Sequence, residues 1–246
     1  MPFGFRGPKA LSPKLPLHPM TCRGRFVVLE GIDGCGKTTQ IEALREWLPK
    51  SGLMPRTAKV VVTREPGGTA FGAALRELLL HPPAHQVPGA RAELLLYAAD
   101  RAQHVAERIE PSLAAGHWVL SDRFSGSTAA YQGFGRGLPL EAIDQLEQFA
   151  TGGLLPDLTL WLDVPLEESL QRRSKRAKKR LEDRIEAEGQ AFLKRVHIGF
   201  QTLADGAGWW RVEAMGQPTE VTERCCQALL ECFPMLKDEA VAHGRP

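Results

Sequence analysis

The chain contains no asparagine. Guanine-specific GTPases build their base-recognition signature around that residue, so a GTP-driven switch is excluded. Cysteine is sparse: Cys22, Cys35, Cys225, Cys226 and Cys232 are odd in number and lack C-x-x-C spacing. Neither a disulfide framework nor a zinc site follows from them, and a reducing compartment, the cytoplasm, is the expected setting. No apolar run approaches the roughly 20 residues a membrane span needs, so no membrane partner is expected. A strong charge of either sign is also missing. The net charge of +2 gives no support to nucleic-acid binding, which would have to rest on a local patch.

Acidic residues are absent from the start of the chain, the first being Glu30. Residues 1–22 combine five prolines with several basic residues and read as a disordered extension. A transit peptide is the alternative, opposed by a single serine, Ser12, and by prolines that break an amphipathic helix; a misassigned start is another. The chain as a whole, 246 residues with 43% hydrophobic and 24% charged, has the composition of an ordinary soluble globule. No linker interrupts it, so one α/β domain is expected over residues 23–234, followed by a tail at 235–246.

The stretch that organises this domain is RFVVLEGIDGCGKTTQ at residues 25–40, which matches G-x-x-x-x-G-K-[ST] from Gly31 to Thr38. An apolar run at 26–29 predicts a buried strand. Glycines then let successive N–H groups face one point at the start of a helix, whose dipole favours anions. Ile41, Leu44 and Leu48 continue at helical spacing. Gly31, Ile32, Asp33, Gly34, Cys35, Gly36, Lys37, Thr38 and Thr39 are therefore the expected polyphosphate cradle. In it Lys37 reaches the β- and γ-phosphates and the Thr38 hydroxyl holds Mg²⁺. Further strands are expected at 59–63, 117–121, 158–163 and 209–212, each pair separated by helical segments, with a long helix over 91–115 closed by Gly116. Such alternation means a doubly wound sheet of five parallel strands, with ligands at the strands' carboxyl ends.

A phosphate loop alone says only that a nucleoside triphosphate binds. Motor and helicase ATPases need longer cores, which leaves a small phosphotransferase. The loop, together with TREPGGT at 63–69, YAADRAQH at 97–104, Asp122-Arg123 with STAAYQG at 127–133, and DRIE at 183–186, resembles bacterial thymidylate kinase over roughly residues 24–234. The resemblance implies a P-loop NTPase fold with an arginine-rich lid at about 170–184, ATP as phosphoryl donor with Mg²⁺, dTMP as acceptor and a homodimer.

It also implies roles for individual residues. Asp33 faces the acceptor near its sugar and the metal, and with Asp122 and Thr38 organises Mg²⁺. Arg64 and Arg123, each just past a strand, clamp the acceptor phosphate. Tyr97 stacks on the pyrimidine while Arg101, four residues on and so on the same helical face, addresses the thymine O4. Thr128 and Tyr131 line the base edge and the sugar, with Gln132 beside them. The basic run at 172–180, with Arg172, Arg173 and Arg176, falls on the lid, and Arg184 in DRIE is the favoured arginine for the transferred phosphoryl group. Some members carry an arginine in the loop at the position of Gly34 and have a lid poor in arginine. Gly34 and this basic lid put the chain in the other group. Two readings stand beside this one: another nucleotide or deoxynucleoside kinase of the same fold, and a catalytically silent ATP-binding regulator whose basic run holds nucleic acid.

Overall fold

A computed structural model describes residues 23–83, 86–177, 184–185 and 188–236. The proposed extension at 1–22, residues 178–183 of the lid, Glu186 of the DRIE segment and the tail from 237 onward lie outside the described residues.

Five strands form one parallel sheet: β1 (Phe26–Glu30), β2 (Val60–Arg64), β3 (Trp118–Asp122), β4 (Leu158–Asp163) and β5 (Trp210–Glu213), in the order β2-β3-β1-β4-β5. Each starts within one residue of its expected position. The centre of the sheet explains why β1 is apolar from Phe26 to Leu29. Val27 and Leu29 join the larger core cluster on one face, while Phe26 and Val28 join a smaller one on the other with Val105, Ile109 and Leu113. A parallel strand covered on both faces has no solvent side and so shows no polar alternation.

Helix α1 (Lys37–Trp47) follows β1, and α2 (Ala70–Leu80) and α3 (Ala90–His104) lie between β2 and β3. The helix expected over 91–115 does not keep one geometry. After α3 comes a π-helical turn, Val105–Ile109, and then α4 (Glu110–Ala114), with Gly116 at a φ of 80° closing the run. Pro111 gives the reason. It lacks an N–H, and its ring would crowd the carbonyl four residues back in a regular α-helix, so the wider turn accommodates it. Beyond β3 come α5 (Ser125–Thr128), a second π-helical stretch at Ala129–Gly135, and α6 (Leu140–Thr151). Helices α7 (Leu166–Ala177) and α8 (Gln190–Ala207) join β4 to β5, and α9 (Pro218–Cys232) ends the fold.

The strand order reverses at β1, whose neighbours are β3 and β4. The phosphate loop therefore opens into the crevice at the topological switch point, where a doubly wound sheet binds its ligands. Among the described residues no helix is long and apolar enough to cross a membrane.

Candidate active site

Loop 31–36 turns through three glycines with positive φ, Gly31 (140°), Gly34 (87°) and Gly36 (106°), before α1 begins at Lys37. Lys37 is buried, and its Nζ donates to the Gly31 carbonyl at 2.9 Å and the Ile32 carbonyl at 3.2 Å. Thr38 and Thr39 are exposed at the helix start. The Thr38 hydroxyl lies 3.4 Å from the Asp122 carboxylate at the end of β3. Helix α7 is seated on the loop, with the Ser169 hydroxyl donating to the Asp33 carbonyl at 2.6 Å. This contact accounts for Gly34. A Cβ there would stand 2.8 Å from the Ser169 carbonyl oxygen and 3.2 Å from Cγ of Arg173, on a backbone already in the left-handed region.

Arg123 also has a positive φ, 76°, the only non-glycine among the described residues to do so. Such a conformation persists only where the surroundings over-determine it. Its N–H donates to the Leu29 carbonyl at 3.0 Å and its carbonyl accepts from Ser121 Oγ at 2.8 Å. Next to it, buried Glu30 accepts from the Phe124 N–H, the Ser127 N–H and Ser127 Oγ, fixing the turn. The guanidinium is thereby aimed across the loop. It donates to the Gly31 carbonyl at 3.0 Å, to Ser127 Oγ at 2.8 Å and to Asp33 Oδ1 at 2.6 Å, while Tyr131 donates to Asp33 Oδ2 at 2.8 Å. Burial would push the Asp33 carboxyl up, but Arg123 and Lys37 outweigh it and hold the group well below the usual carboxylate range. Each Asp33 oxygen thus accepts a hydrogen bond, one from Arg123 and one from Tyr131, and Thr38 with Asp122 forms a second set of hard oxygens that could hold a divalent cation.

A cleft opens beside this cluster. Asp33, Arg123, Ser127, Tyr131 and Gln132 line one side, and Glu65, Pro66, Arg76, Tyr97, Arg101 and Thr128 line the rest, with Leu80 and Ile185 at the edge. Arg101 is fully buried behind it, held by Glu65 through Nε at 2.8 Å and Nη2 at 2.7 Å, by Glu147, and by Thr128 Oγ1 at 2.9 Å. Glu65 in turn meets His104 Nδ1 at 2.8 Å, whose Nε2 meets Thr63 Oγ1 at 2.6 Å. The TREPGGT segment and α3 are stitched together by this chain. Gly68 lets them close, since a Cβ there would lie 2.4 Å from His104 Nε2.

The same seam carries a strained charge. Asp100 accepts from the Gly67 N–H at 3.1 Å through Oδ1, while Oδ2 is buried without a partner among the described residues. Burial and the neighbouring Glu65 push its carboxyl up from 3.8 to about 6. A carboxyl raised in the fold favours folding while protonated, and that advantage disappears as pH rises through the folded value. Relative to Asp100→Asn, the native protein should therefore lose roughly 3 kcal/mol of stability between about pH 4 and pH 7. Urea melts of both proteins at several pH values measure it, and a gap that does not widen with pH refutes it.

Two expected site residues lie elsewhere. Arg64, the last residue of β2, is exposed and lines a neighbouring groove with Thr38, Arg108 and Asp122 instead of the cleft. Strand alternation is the reason: Thr63 turns inward to His104, so Arg64 turns away. The arginine in the cleft is Arg76 on α2, anchored by Nη1 to the Pro66 carbonyl at 3.0 Å. Nothing in the sequence separates Arg76 from other helix-surface arginines. Ser127 and Glu65 sit within quoted motifs and also went unassigned. Arg184 does not turn toward the phosphate loop: Nε donates to the Leu79 carbonyl at 3.0 Å and Nη2 to the buried carboxylate of Glu93. That carboxylate is the nearer and better-desolvated anion. Of the lid arginines, Arg172 is held by Glu168 at 2.8 Å and the Ala214 carbonyl at 3.1 Å, and Arg173 packs on Gly34; the Arg176 side chain lies outside the described residues.

This arrangement has counterparts. A family model described as thymidylate kinase matches residues 29–225. A thymidylate kinase of Synechococcus sp. strain RCC307 is 65% identical over 202 residues, 82% of this chain and 93% of that one. The thymidylate kinase of Prochlorococcus marinus strain MIT 9313 is 60% identical over 215 residues, 87% and 98% of the two chains. Among solved structures, thymidylate kinase from Ehrlichia chaffeensis superposes with a TM-score of 0.66 at 30% identity, covering 85% of this chain and all of that one. A matched region that runs from the end of β1 through the loop, the arginine turn and the cleft into α9 means that the chain belongs to the thymidylate kinase family.

Proposed function

We propose that this chain transfers the γ-phosphoryl group of ATP, with Mg²⁺, in a direct in-line step onto dTMP. The dTMP-to-dTDP conversion is the activity of the family to which the chain belongs; the donor, the metal and the in-line geometry are supported by the residues. One observation carries the two-nucleotide reading. Arg123 borders the phosphate loop through the Gly31 carbonyl and the cleft through Ser127, so a single guanidinium stands between the two places where phosphates would lie.

The acceptor is a phosphate monoester with a second pKa of about 6, so its attacking oxygen is already ionised near neutral pH and no protein base is needed. The difficulty is repulsion between two polyanions, and cations from several directions meet it. Lys37 and the loop N–H groups serve the donor. Arg123 and Arg76, in the place first given to Arg64, serve the acceptor phosphate. Thr38 and Asp122 supply hard oxygen atoms that would hold Mg²⁺, whose charge would offset that of the phosphates. Tyr97 stacks on the base, Arg101 donates to the thymine O4 with Thr128 and Gln132 along the edge, and Tyr131, held by Asp33, closes off the sugar. Lid arginines Arg172, Arg173 and Arg176 cover the transferred group, Arg173 lying against the loop at Gly34.

Exposed apolar side chains on adjoining helices, Phe71 and Leu78 on α2, Leu95 on α3 and Phe149 on α6, support a homodimer through that face, which sedimentation velocity tests. Described cysteines that are all free support a reducing compartment, the cytoplasm.

A coupled assay across dTMP, dUMP, UMP, CMP, GMP, AMP and thymidine tests the substrate reading, and thymidine turnover rivalling that of dTMP would overturn the role of the arginine clamp. The base site has its own test. Tyr97→Ala is expected to weaken dTMP by roughly 1–3 kcal/mol, the worth of one stacking platform, with ATP affinity unchanged. Isothermal titration measures both, and a fall in ATP affinity instead would make Tyr97 a packing residue.

A further inference from the structure

Glu93, in the first turn of α3, is fully buried yet carries four polar contacts. Its Oε1 accepts from Gln132 Nε2 at 2.8 Å and Arg136 Nε at 3.2 Å, and its Oε2 from Arg136 Nη2 at 3.2 Å and Arg184 Nη2. Burial opposes ionisation, but the hydrogen bonds from Arg136, Gln132 and Arg184 outweigh it and hold the carboxyl below its usual range. An ionised carboxylate accepts and never donates. Gln132 must therefore turn its NH₂ toward Glu93 and its carbonyl the other way. The residue lines the cleft, and among the described residues no hydrogen-bond donor takes that carbonyl.

We propose that Glu93 is a positioning residue that sets the hydrogen-bond polarity of Gln132, and that the cleft thereby selects a pyrimidine carrying an N–H at ring position 3. The inference rests on the reading that the cleft holds the dTMP base. Thymine and uracil present that N–H, which the Gln132 carbonyl accepts. Cytosine presents a bare ring nitrogen, and two acceptors then face each other without a proton. Arg101, a donor, addresses the exocyclic oxygen at position 4, which cytosine replaces with an amino group; that preference is the same in the native protein and in variants at Glu93 or Gln132. Glu93 touches no substrate. Without its charge the amide of Gln132 is free to turn over and offer its NH₂ instead, which suits the cytosine ring. Arg136 and Arg184 keep Glu93 ionised although it is buried, so the segment after the lid contributes to base choice from a distance.

The probes are dTMP and 5-methyl-dCMP, which share the methyl group and sugar and differ only along the hydrogen-bonding edge. In Glu93→Gln the amide polarity is no longer enforced. The kcat/KM for 5-methyl-dCMP should rise about tenfold, the worth of roughly one hydrogen bond, while that for dTMP should fall by less than about threefold. A purely structural role lowers both values and cannot raise either. Gln132→Met leaves the Arg136 and Arg184 contacts in place; there dTMP should lose about tenfold and 5-methyl-dCMP should not fall. A folded Glu93→Gln protein with no gain on 5-methyl-dCMP overturns the proposal, as does a Gln132→Met protein with the native ratio of the two efficiencies, which decides the matter if Glu93→Gln does not fold. Native protein that uses both probes equally would overturn the assignment of the cleft and the proposal with it, whereas native discrimination without relaxation in the variants overturns the proposal alone.

Discussion

Lys37→Ala is expected to remove phosphoryl transfer while leaving the protein folded. The ammonium sits inside the loop, 6% exposed, with the Gly31 and Ile32 carbonyls as its partners, at the point where the N–H groups of the turn converge. A donor fixed there meets charge that redistributes over the γ-phosphoryl oxygens, and removing one such preorganised donor costs about 10²–10³ in turnover. Lys37 adds a full charge to the hydrogen bond, so the loss should sit at or beyond the upper end of that range. Stability should change little, because the Gly31 carbonyl keeps its hydrogen bond from Arg123 and only the Ile32 carbonyl loses its donor. Single-turnover rates and a thermal melt measured on the same preparation check both halves. Full activity in a folded Lys37→Ala protein would remove the phosphate-loop reading altogether.

Joint replacement of Arg173 and Arg176 by alanine should lower kcat by about 10³ or more, the range an arginine contributes when it meets the transferred group, with little change in KM for dTMP. The argument starts at Gly34, which carries no charge and has no room for a side chain between the loop and α7. Positive charge on that side of the transferred group must then come from α7 itself. Ser169 ties the helix to the Asp33 carbonyl, and Arg173, one turn further on, packs on the loop. Arg184→Ala should behave differently. Its guanidinium serves Glu93, so its loss should raise KM for dTMP more than it lowers kcat. Steady-state kinetics at saturating dTMP with ATP varied, and the reverse, separate the two patterns. If Arg184→Ala proves to be the variant that loses kcat, the lid arginine and the Glu93 anchor have been assigned the wrong way round.

Much of this protein was written locally. The phosphate loop was legible because its function depends on consecutive backbone groups: a strand, glycines with positive φ at Gly31, Gly34 and Gly36, then Lys37 and Thr38 opening a helix. The central strands β1, β3 and β4 were legible to within a residue because burial on both faces demands apolar runs. Tyr97 and Arg101 could be paired in advance because helical spacing alone puts them on one face. Family membership followed from motifs that stand in order along the chain.

What the sequence could not decide were the partnerships between elements. Arg64 and Arg76 are both arginines near TREPGGT, and only strand alternation at Thr63 and the docking of α2 decide that Arg76 reaches the cleft. Arg184 lies in a well-matched segment, yet its partner is Glu93, 91 residues earlier. Asp33 reads as an isolated loop carboxylate until Arg123 and Tyr131, 90 and 98 residues on, are seen to hydrogen-bond its two oxygens. Glu93 itself gave no signal, since one glutamate in a helix's first turn looks like any other that favours the helix dipole. The physical reason is the same in each case. Backbone conformation and apolar periodicity are set by neighbours within a few residues, whereas the partner of a buried charge is whichever opposite charge the packed sheet and helices bring within about 3 Å, and that distance exists only once the chain has folded.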